Sequence, residues 1–415
     1  MGFEIFSKLS ILKDKHIKFL LISTFLTTLS ASIISPIRSI YITNFNVSLI
    51  QLGILFTVST IVKLFIDSPM GTLCDHISRK KIFVVSCALS ILLLFFQTIS
   101  TSFEHFFIVF LLEGFVTAAY NISLWSYMND VLKKTKINYS IISVFWMIAG
   151  IIGPYLGGYI GSFGNTYSFY AGMICEFVGL FFAFKIPHIK KKEGTLKDGL
   201  KEAFKGVYVD EYKSFMKSNN NVKISTFFDA VLVYDGSIFY SFVPIFLNSY
   251  FGLGEVWIGA FFSVLEITAL LVRLLESAFF KKIIKKNLII LSSAVTGICY
   301  LLIPFTKSLP VFVALSLISS FSSYMIYPLT YQIFMNSLNH KKQGEITGMR
   351  EVISDVGGTI GNFVGGLVSS MSSIPMAVFS SGVLYLTGSG LAGFIKRSKK
   401  RQAEVNLIMS GKKLD

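Results

Sequence analysis

Charged side chains are scarce in this chain: they make up 15% of its 415 residues, whereas 53% of the residues are apolar. A soluble globule of this length needs more polar surface than so few charges can supply. In a lipid bilayer the backbone must satisfy its own hydrogen bonds, and helices do so within one segment. The scarcity of charge therefore predicts an all-α integral membrane protein.

Cysteine is rarer still, and the four cysteines have neither the paired spacing of a disulfide framework nor that of a zinc site. They are Cys74, Cys87, Cys175 and Cys299. The sequence also lacks His-Glu-x-x-His and Gly-x-Ser-x-Gly, and its phosphate-loop-like stretch at 194–201 has Leu200 where a lysine is needed. We therefore expect no enzymatic activity, no metal and no cofactor.

Long apolar stretches are what the chain does have. About 20 mostly apolar residues are enough for a helix to cross the hydrocarbon core. Twelve stretches reach this length, and we predict that each is a span. They cover residues 18–43, 49–69, 82–101, 105–129, 137–162, 167–187, 222–249, 255–279, 288–306, 309–335, 345–371 and 374–395.

The net charge of +15 is distributed unevenly between the loops. Basic residues crowd both tails and every second connection, whereas the intervening connections contain a single cation, Lys307. By the positive-inside rule, this alternation places both termini in the cytoplasm. A nucleic-acid surface would have no reason to alternate in this way. We therefore expect a multi-pass protein of the cell (plasma or inner) membrane without a nucleic-acid partner. Independently of the charges, we expect a monomer.

A polar stretch at 188–221 divides the spans into two sets of six. Apolar residues from Leu196 to Phe215 recur there mostly at helical spacing, which favours an amphipathic helix on the membrane surface. A solvated linker is the alternative. The predicted domains are an N-terminal six-helix bundle (1–187), this linker (188–221), a C-terminal six-helix bundle (222–397) and a basic cytoplasmic tail (398–415).

The two sets of spans also resemble each other. Pro36-Ile37 in the first span matches Pro244-Ile245 in the seventh, and Gly153-Pro154 in the fifth matches Gly361-Asn362 in the eleventh. Both matches lie 208 residues apart. Matches at corresponding spans favour an internal duplication, which is common in transporters.

The segment GTLCDHISRK at 71–80, between the second and third spans, resembles the hallmark loop of the major facilitator superfamily of secondary transporters. A serine replaces the second glycine of that motif. The resemblance implies twelve transmembrane helices in two pseudo-symmetric six-helix bundles with a substrate site between them. It also implies a conformational latch at the cytoplasmic side, formed by Gly71, Asp75, Arg79 and Lys80 with Asp130 at the end of the fourth span.

The fifth span contains AGIIGPYLGG at 149–158, which resembles the glycine-rich motif of drug and metabolite exporters in the superfamily. Proline kinks a helix, and glycines let a neighbouring helix approach closely. The resemblance implies a hinge formed by Gly150, Gly153, Pro154, Gly157 and Gly158, and export by antiport. The alternative is a tightly packed helix pair without a moving part.

One element of the proton-coupled exporters is missing from the fourth span. Such proteins usually carry an arginine there, three residues before a Gln-Gly pair. Phe110 stands at the arginine position and Glu113 at the glutamine position. The proton-transfer role of that arginine therefore cannot be transferred to this chain.

Acidic residues inside spans are costly unless they face a cavity or a partner. Our candidates for proton coupling are Asp235, Glu113, Glu266 and Asp355. Asp235 lies at the centre of the seventh span, and the resemblance implies a cavity lined by the first, fourth, seventh and tenth spans, so we expect Asp235 to face that cavity. A buried carboxylate can hold a proton and release it when a cation arrives, so Asp235→Asn is expected to abolish coupled export. For Glu176, and for the spaced pairs Lys63 with Asp67 and Arg273 with Glu276, we expect local ion pairs.

Tyrosines recur at helical spacing on the fourth and tenth spans and are typical of a cavity for large, flat, often cationic compounds. Packing and interfacial anchoring are the alternative. For Arg38 two readings stay open, either pairing with Glu113 or Asp235 or extending to the outer surface. The candidates for the substrate cavity are Arg38, Tyr120, Tyr127, Tyr234, Tyr324, Tyr327, Tyr331 and Gln332.

These features together predict a secondary active transporter whose partners are a small molecule, protons and the lipid bilayer. We expect proton-gradient-driven efflux of hydrophobic or cationic drugs or metabolites, as in multidrug efflux and antibiotic resistance. The alternative is a proton-coupled symporter that imports a sugar, peptide or organic acid, with Arg38 as the anion-binding group. A non-transporting sensor is a third reading, against which the latch and hinge segments argue.

Overall fold

The structure is a computed structural model, and it describes residues 15–135, 139–188, 209–278, 285–338 and 343–396. Helices joined by short turns make up these ranges, with no strand in them. The twelve long helices are α1 (Lys15–Thr43), α2 (Leu49–His76), α3 (Arg79–Ile99), α4 (Phe103–Thr135), α5 (Tyr139–Gly161), α6 (Asn165–Lys185), α7 (Asn220–Ser249), α8 (Glu255–Ala278), α9 (Lys285–Leu302), α10 (Leu309–Ser337), α11 (Gln343–Met371) and α12 (Ile374–Ala392).

Each of the twelve predicted spans corresponds to one of these helices. Eleven helices of the described part are long and apolar enough to cross a membrane. The other long helix, α11, has 29 residues but a less apolar sequence, because Glu345, Arg350, Glu351 and Asp355 lie in its first half. Helix α2 runs on to His76, beyond the predicted residue 69, since a helix can continue into polar surroundings.

We call the helix ends joined by the cation-poor connections the outer ends, and the opposite ends the inner ends. The first six long helices and the last six form two bundles with the same internal arrangement. In the first bundle α1 packs against α5 and α6, and α2 against α4; in the second α7 packs against α11 and α12, and α8 against α10. Two seams, α2 with α11 and α5 with α8, join the bundles, together with α1 against α7. The fold is therefore pseudo-symmetric, as the resemblance implied.

Glycines bring both seams into backbone contact near the outer ends. A Cβ atom added to Gly53 of α2 would lie 2.7 Å from the Cα of Gly366 in α11. A Cβ on Gly158 of α5 would collide with the Glu255 carbonyl of α8 and lie 3.0 Å from the Gly259 Cα. Side chains at these positions would separate the helices, so the two bundles are closely packed at their outer ends.

The glycine motif of the fifth span therefore packs against two neighbouring helices. Gly158 faces α8, whereas Gly153 and Gly157 face Ser32 and Ile33 of α1. The alternative of a tight helix pair is too simple, because the same helix is tightly packed on two sides, one of them at the boundary between the bundles. Its part as a hinge stays a prediction.

The connection between the bundles is described only from residue 209 onward. A short helix, Val209–Met216, packs against α11, where the Ser214 hydroxyl donates a hydrogen bond to Glu345. Phe215 is buried beside Phe334. The amphipathic stretch from Leu196 to residue 207 and the basic tail 398–415 lie outside the described residues.

Candidate binding cavity

A cavity of about 360 Å³ lies among α1, α3, α4 and α6 and reaches α7. Its volume falls within the range of small-molecule sites. Apolar walls alternate with hydroxyl groups and a few charges. The polar lining consists of Ser30, Ser35, Arg38, Ser39, Ser90, Gln97, Glu113, Thr117, Glu176, Tyr240 and Ser241. Arg38 and Glu113 are the sequence candidates that the structure places here.

Arg38 of α1 and Glu113 of α4 form a two-pronged ion pair across this cavity. Arg38 Nη1 donates to Glu113 Oε1 at 3.0 Å, and Nη2 donates to Oε2. Gln97 of α3 bridges the pair, since it accepts from Arg38 Nε at 3.1 Å and donates to Glu113 at 3.4 Å. Of the two readings of Arg38, the structure favours pairing with Glu113.

Phe110 has a specific place in this arrangement. The guanidinium carbon of Arg38 lies 4.2 Å from the centroid of the Phe110 ring and 5.6 Å from that of Phe56. A cation over an aromatic face is stabilised by the ring's quadrupole. Phe110, which occupies the position of the missing arginine, therefore contacts an arginine that comes from α1 instead.

Glu266 lies where α8 meets α7 and α10. The hydroxyl groups of Tyr240 and Tyr324 donate to its Oε1 atom at 2.6 and 3.1 Å. A Cβ on Gly150 of α5 would lie 3.7 Å from its Oε2 atom. Because Tyr240 also lines the cavity, this carboxylate is one side chain away from the cavity and directly beside the predicted hinge.

Asp235 is not in the position expected from the sequence. It is buried inside the second bundle, where Tyr300 of α9 and Tyr385 of α12 each donate to its Oδ2 atom at 3.1 Å. The cavity-lining residues of α7 are Tyr240 and Ser241, and Tyr240 is five residues later and thus about 140° around the helix. The expectation that Asp235 lines the cavity is corrected accordingly, whereas its part in proton transfer stays a prediction.

A charged cluster crosses the α2–α11 seam. Lys63 Nζ donates to Asp67 at 2.9 Å, as its spacing predicted, and to Asp355 of α11 at 2.5 Å. At the other seam, Arg273 of α8 donates to the Ser143 hydroxyl of α5. Asp355, a candidate for proton coupling, is therefore paired with a lysine of the opposite bundle.

Tyr327 and Tyr331 of α10 stack on each other with their ring centroids 5.9 Å apart, and both are partly exposed. The guanidinium of Arg350 lies 4.8 Å from the Tyr331 centroid. Arg350 pairs with Asp229 of α7, and both side chains are buried. Sequence analysis missed this pair, although an anion and a cation inside two predicted spans were a signal for it.

The remaining polar candidates hold helices together. Tyr120 contacts Thr27 of α1, Tyr127 donates to a carbonyl at the end of α6, and Tyr234 contacts a hydroxyl of α12. Gln332 accepts from Lys285, and Tyr324 belongs to the Glu266 cluster. For Tyr120, Tyr127 and Tyr234 the structure favours the packing alternative over cavity lining.

The latch residues meet at the inner ends of the first bundle. Arg79 Nη1 donates to Asp130 at 2.6 Å and Nη2 donates to Asp75 at 3.1 Å. Lys80 donates to the Phe184 carbonyl of α6 at 2.8 Å, and a Cβ on Gly71 would meet open space. The network therefore links α2, α3, α4 and α6, with Asp130 as the partner that the resemblance implied.

The family is shown by comparison with known proteins. The model for the Major Facilitator Superfamily matches residues 20–362 and 282–409. The chain belongs to this superfamily of transporters. Over 404 residues it is 22% identical to Multidrug resistance protein 2 of Bacillus subtilis, covering 96% of this chain and 100% of that protein. An uncharacterised MFS-type transporter of Methanocaldococcus jannaschii is 24% identical over 87% of this chain and 93% of its own.

Solved structures agree on the fold. A variant of the nucleoside transporter NupG superposes with a TM-score of 0.71 at 17% identity, over 92% of this chain and 98% of its own. A bacterial homologue of the lysosomal transporter Spinster also gives 0.71, at 13% identity over 92% and 96%. Transporters of different substrates share this fold, so the substrate must be argued from the cavity.

Proposed function

We propose that this protein is a proton-coupled exporter of hydrophobic or cationic compounds that works by alternating access. The observation that carries the proposal is the cavity, in which aromatic and aliphatic walls enclose carboxylates. Such a lining suits an apolar molecule with a positive group. The full-length similarity to a protein named for multidrug resistance also supports the proposal of export.

The charge balance of the cavity argues against import of an organic acid. Arg38, the group that would bind an anion, already has its donors directed at Glu113 and Gln97. An anionic substrate would have to displace a charged partner. A cation would instead meet the carboxyl group of Glu176, which has no ion-pair partner among the described residues, and the aromatic groups of the wall.

Three of the proposed proton-coupling acids lie close to the cavity or to a seam. Glu113 lines the cavity. Glu266 is separated from the cavity by Tyr240 and lies beside Gly150, and Asp355 pairs with Lys63 across the α2–α11 seam. A change of protonation at such places alters the contacts between the bundles, so that it biases the balance between two conformations. Asp235 is more remote and acts, in this proposal, inside the second bundle.

The test uses inside-out membrane vesicles with an acidified lumen. Addition of a lipophilic cation should release lumenal protons, which a pH-sensitive dye reports, and Glu113→Gln should abolish this response. Glu104→Gln, at an exposed acid near the outer end of α4, is the matched control and should behave like the wild type.

Two outcomes would contradict the proposal. Silence toward a panel of cations, with proton movement on addition of a sugar, peptide or organic acid, would show import. A full cation response in a normally expressed Glu113→Gln variant would remove Glu113 from the coupling mechanism.

A further inference from the structure

Glu176 of α6 occupies a place that its sequence spacing did not suggest. It shares one helix face with Gly172 and Gly179, which lie one turn away on either side. These glycines let α1 approach closely: Ser23 donates to the Gly179 carbonyl at 2.9 Å, and a Cβ on Gly172 would lie 3.1 Å from the Ser30 hydroxyl. Glu176 is therefore enclosed between α6 and α1, only 8% exposed.

The expected local ion pair of Glu176 does not form among the described residues. Its Oε2 atom is buried and has no hydrogen-bond partner there, and the same is true of the Ser30 hydroxyl. Both residues line the cavity. Buried polar atoms without partners are rare in folded proteins and call for a ligand, a water or a proton. Two of them in one cavity wall point to a site that something occupies.

The neighbours of Glu176 leave its charge uncompensated. Arg38 in the same cavity is already paired with Glu113, so the two charges cancel. The titratable groups that interact with Glu176 are Cys87 of α3 and Tyr120 of α4, together with Cys175 next to it on α6. None of these supplies a positive charge, and Tyr155 and Tyr159 of α5 are exposed. An ionised Glu176 would make the cavity net negative.

We propose that Glu176 is a further proton-exchanging carboxylate of the cavity, the one that exchanges its proton directly for the substrate's cationic group, in addition to the coupling candidate Glu113. It carries a proton while the cavity is empty, because an unpaired charge among apolar helices is strongly unfavourable. When the cationic group of a substrate enters, the carboxyl O–H bond breaks, the proton leaves to water and the carboxylate pairs with the cation. This inference rests on the proposed function, which supplies the cation.

Proton release on binding tests the exchange directly. Purified protein in weakly buffered detergent solution is titrated with tetraphenylphosphonium while a pH indicator records released protons. We expect the wild type and the Glu104→Gln control to release about one proton per bound cation. Glu176→Gln should bind at least about tenfold more weakly, as expected when a buried partner charge is lost, and should release none. Release at the wild-type level from Glu176→Gln would overturn the inference while leaving export intact.

Labelling with a hydrophobic carbodiimide, which attacks protonated carboxyl groups, tests the empty state without any substrate. Peptide mapping should find Glu176 modified at neutral pH, less so as the pH is raised, and protected by tetraphenylphosphonium. An unmodified Glu176 at neutral pH in protein that still binds the cation would overturn the inference. If the wild type binds no cation, the proposed function fails and the exchange with it, whereas labelling of Glu176 would still identify a proton site.

Discussion

Each bundle holds an arginine–carboxylate pair between its helices, and the two pairs differ in their access to solvent. In the first bundle, the side chains of Arg38 and Glu113 are 18% and 24% exposed and face the cavity. In the second, those of Arg350 and Asp229 are 2% and 7% exposed. The same chemistry is thus placed once where a ligand can reach it and once where it cannot.

The surroundings of the two pairs follow this difference. Gln97 satisfies the remaining polar atoms of the cavity pair. Around Arg350 the neighbours are aromatic. The ring centroids of Tyr331 and Phe334 lie 4.8 and 4.5 Å from its guanidinium carbon. A ligand can rearrange an ion pair that is accessible to solvent, whereas an ion pair enclosed by aromatic rings fixes α7 to α11. We therefore predict that the first pair serves transport and that the second stabilises its bundle.

Breaking the covered pair should have the largest effect on stability. In Asp229→Asn the buried guanidinium of Arg350 loses its direct ion-pair partner, which costs about 3–5 kcal/mol. Thermal unfolding in detergent should show a strongly destabilised protein, and the double variant Asp229→Asn, Arg350→Met should recover much of the loss. A single variant as stable as the wild type would mean that water or another group reaches Arg350, and the contrast between the bundles would disappear.

Breaking the cavity pair should affect stability less and transport more. In Glu113→Gln, Arg38 keeps Gln97, the Phe110 ring and access to water, so we expect a loss of about 1–3 kcal/mol. Vesicle transport measures the functional loss and thermal unfolding the structural one. The double variant Arg38→Gln, Glu113→Gln should regain stability without regaining transport. Recovery of transport in that variant would show that the charges serve only to hold α1 and α4 together.

The sequence was sufficient for the features that depend on local pattern. Apolar length predicted the twelve helices, and the resemblance of the 71–80 segment predicted the contact of Arg79 with Asp130. The glycine motif predicted close packing of α5, which the contacts of Gly157 and Gly158 confirm.

What could not be predicted is how each helix is rotated about its own axis. In lipid, apolar residues occur on the buried and on the lipid-facing side alike, so the hydrophobic pattern that orients a soluble helix is weak. Asp235 was therefore expected in the cavity, whereas Tyr240 lies there. The partner of Arg350 was missed for the same reason, because pairing across α7 and α11 depends on two rotations at once.

A smaller effect is expected at the seam that joins the two bundles. Asp355→Asn removes one of the two carboxylates that Lys63 contacts, while Asp67 remains. The lysine keeps a counter-ion, so stability should fall by about 1 kcal/mol or less. The α2–α11 contact weakens specifically, and spin labels at the inner ends of α2 and α11 should show a broader distance distribution. Asp67→Asn is the matched control, because it removes a carboxylate from the same lysine while the Lys63–Asp355 pair across the seam remains. Equal broadening in both variants would mean that Asp355 has no special part in joining the bundles.

The smallest effect on stability should come from the latch, where the charges are closest to water. The Asp75 side chain is 64% exposed and contacts Arg79 at 3.1 Å, while Arg79 retains Asp130. An exposed pair of this kind contributes about 1 kcal/mol or less to folding. A change of that size still shifts a balance between two conformations several-fold, because their free energies differ by only a few kcal/mol. Asp75→Asn is therefore expected to fold and express normally and to transport more slowly, measured as initial rates in vesicles at equal protein levels.

Asp130→Asn, which removes the more enclosed partner of Arg79, should be slower still. Wild-type rates in both variants would show that the network only supports the inner ends of the first bundle and does not control the transport cycle.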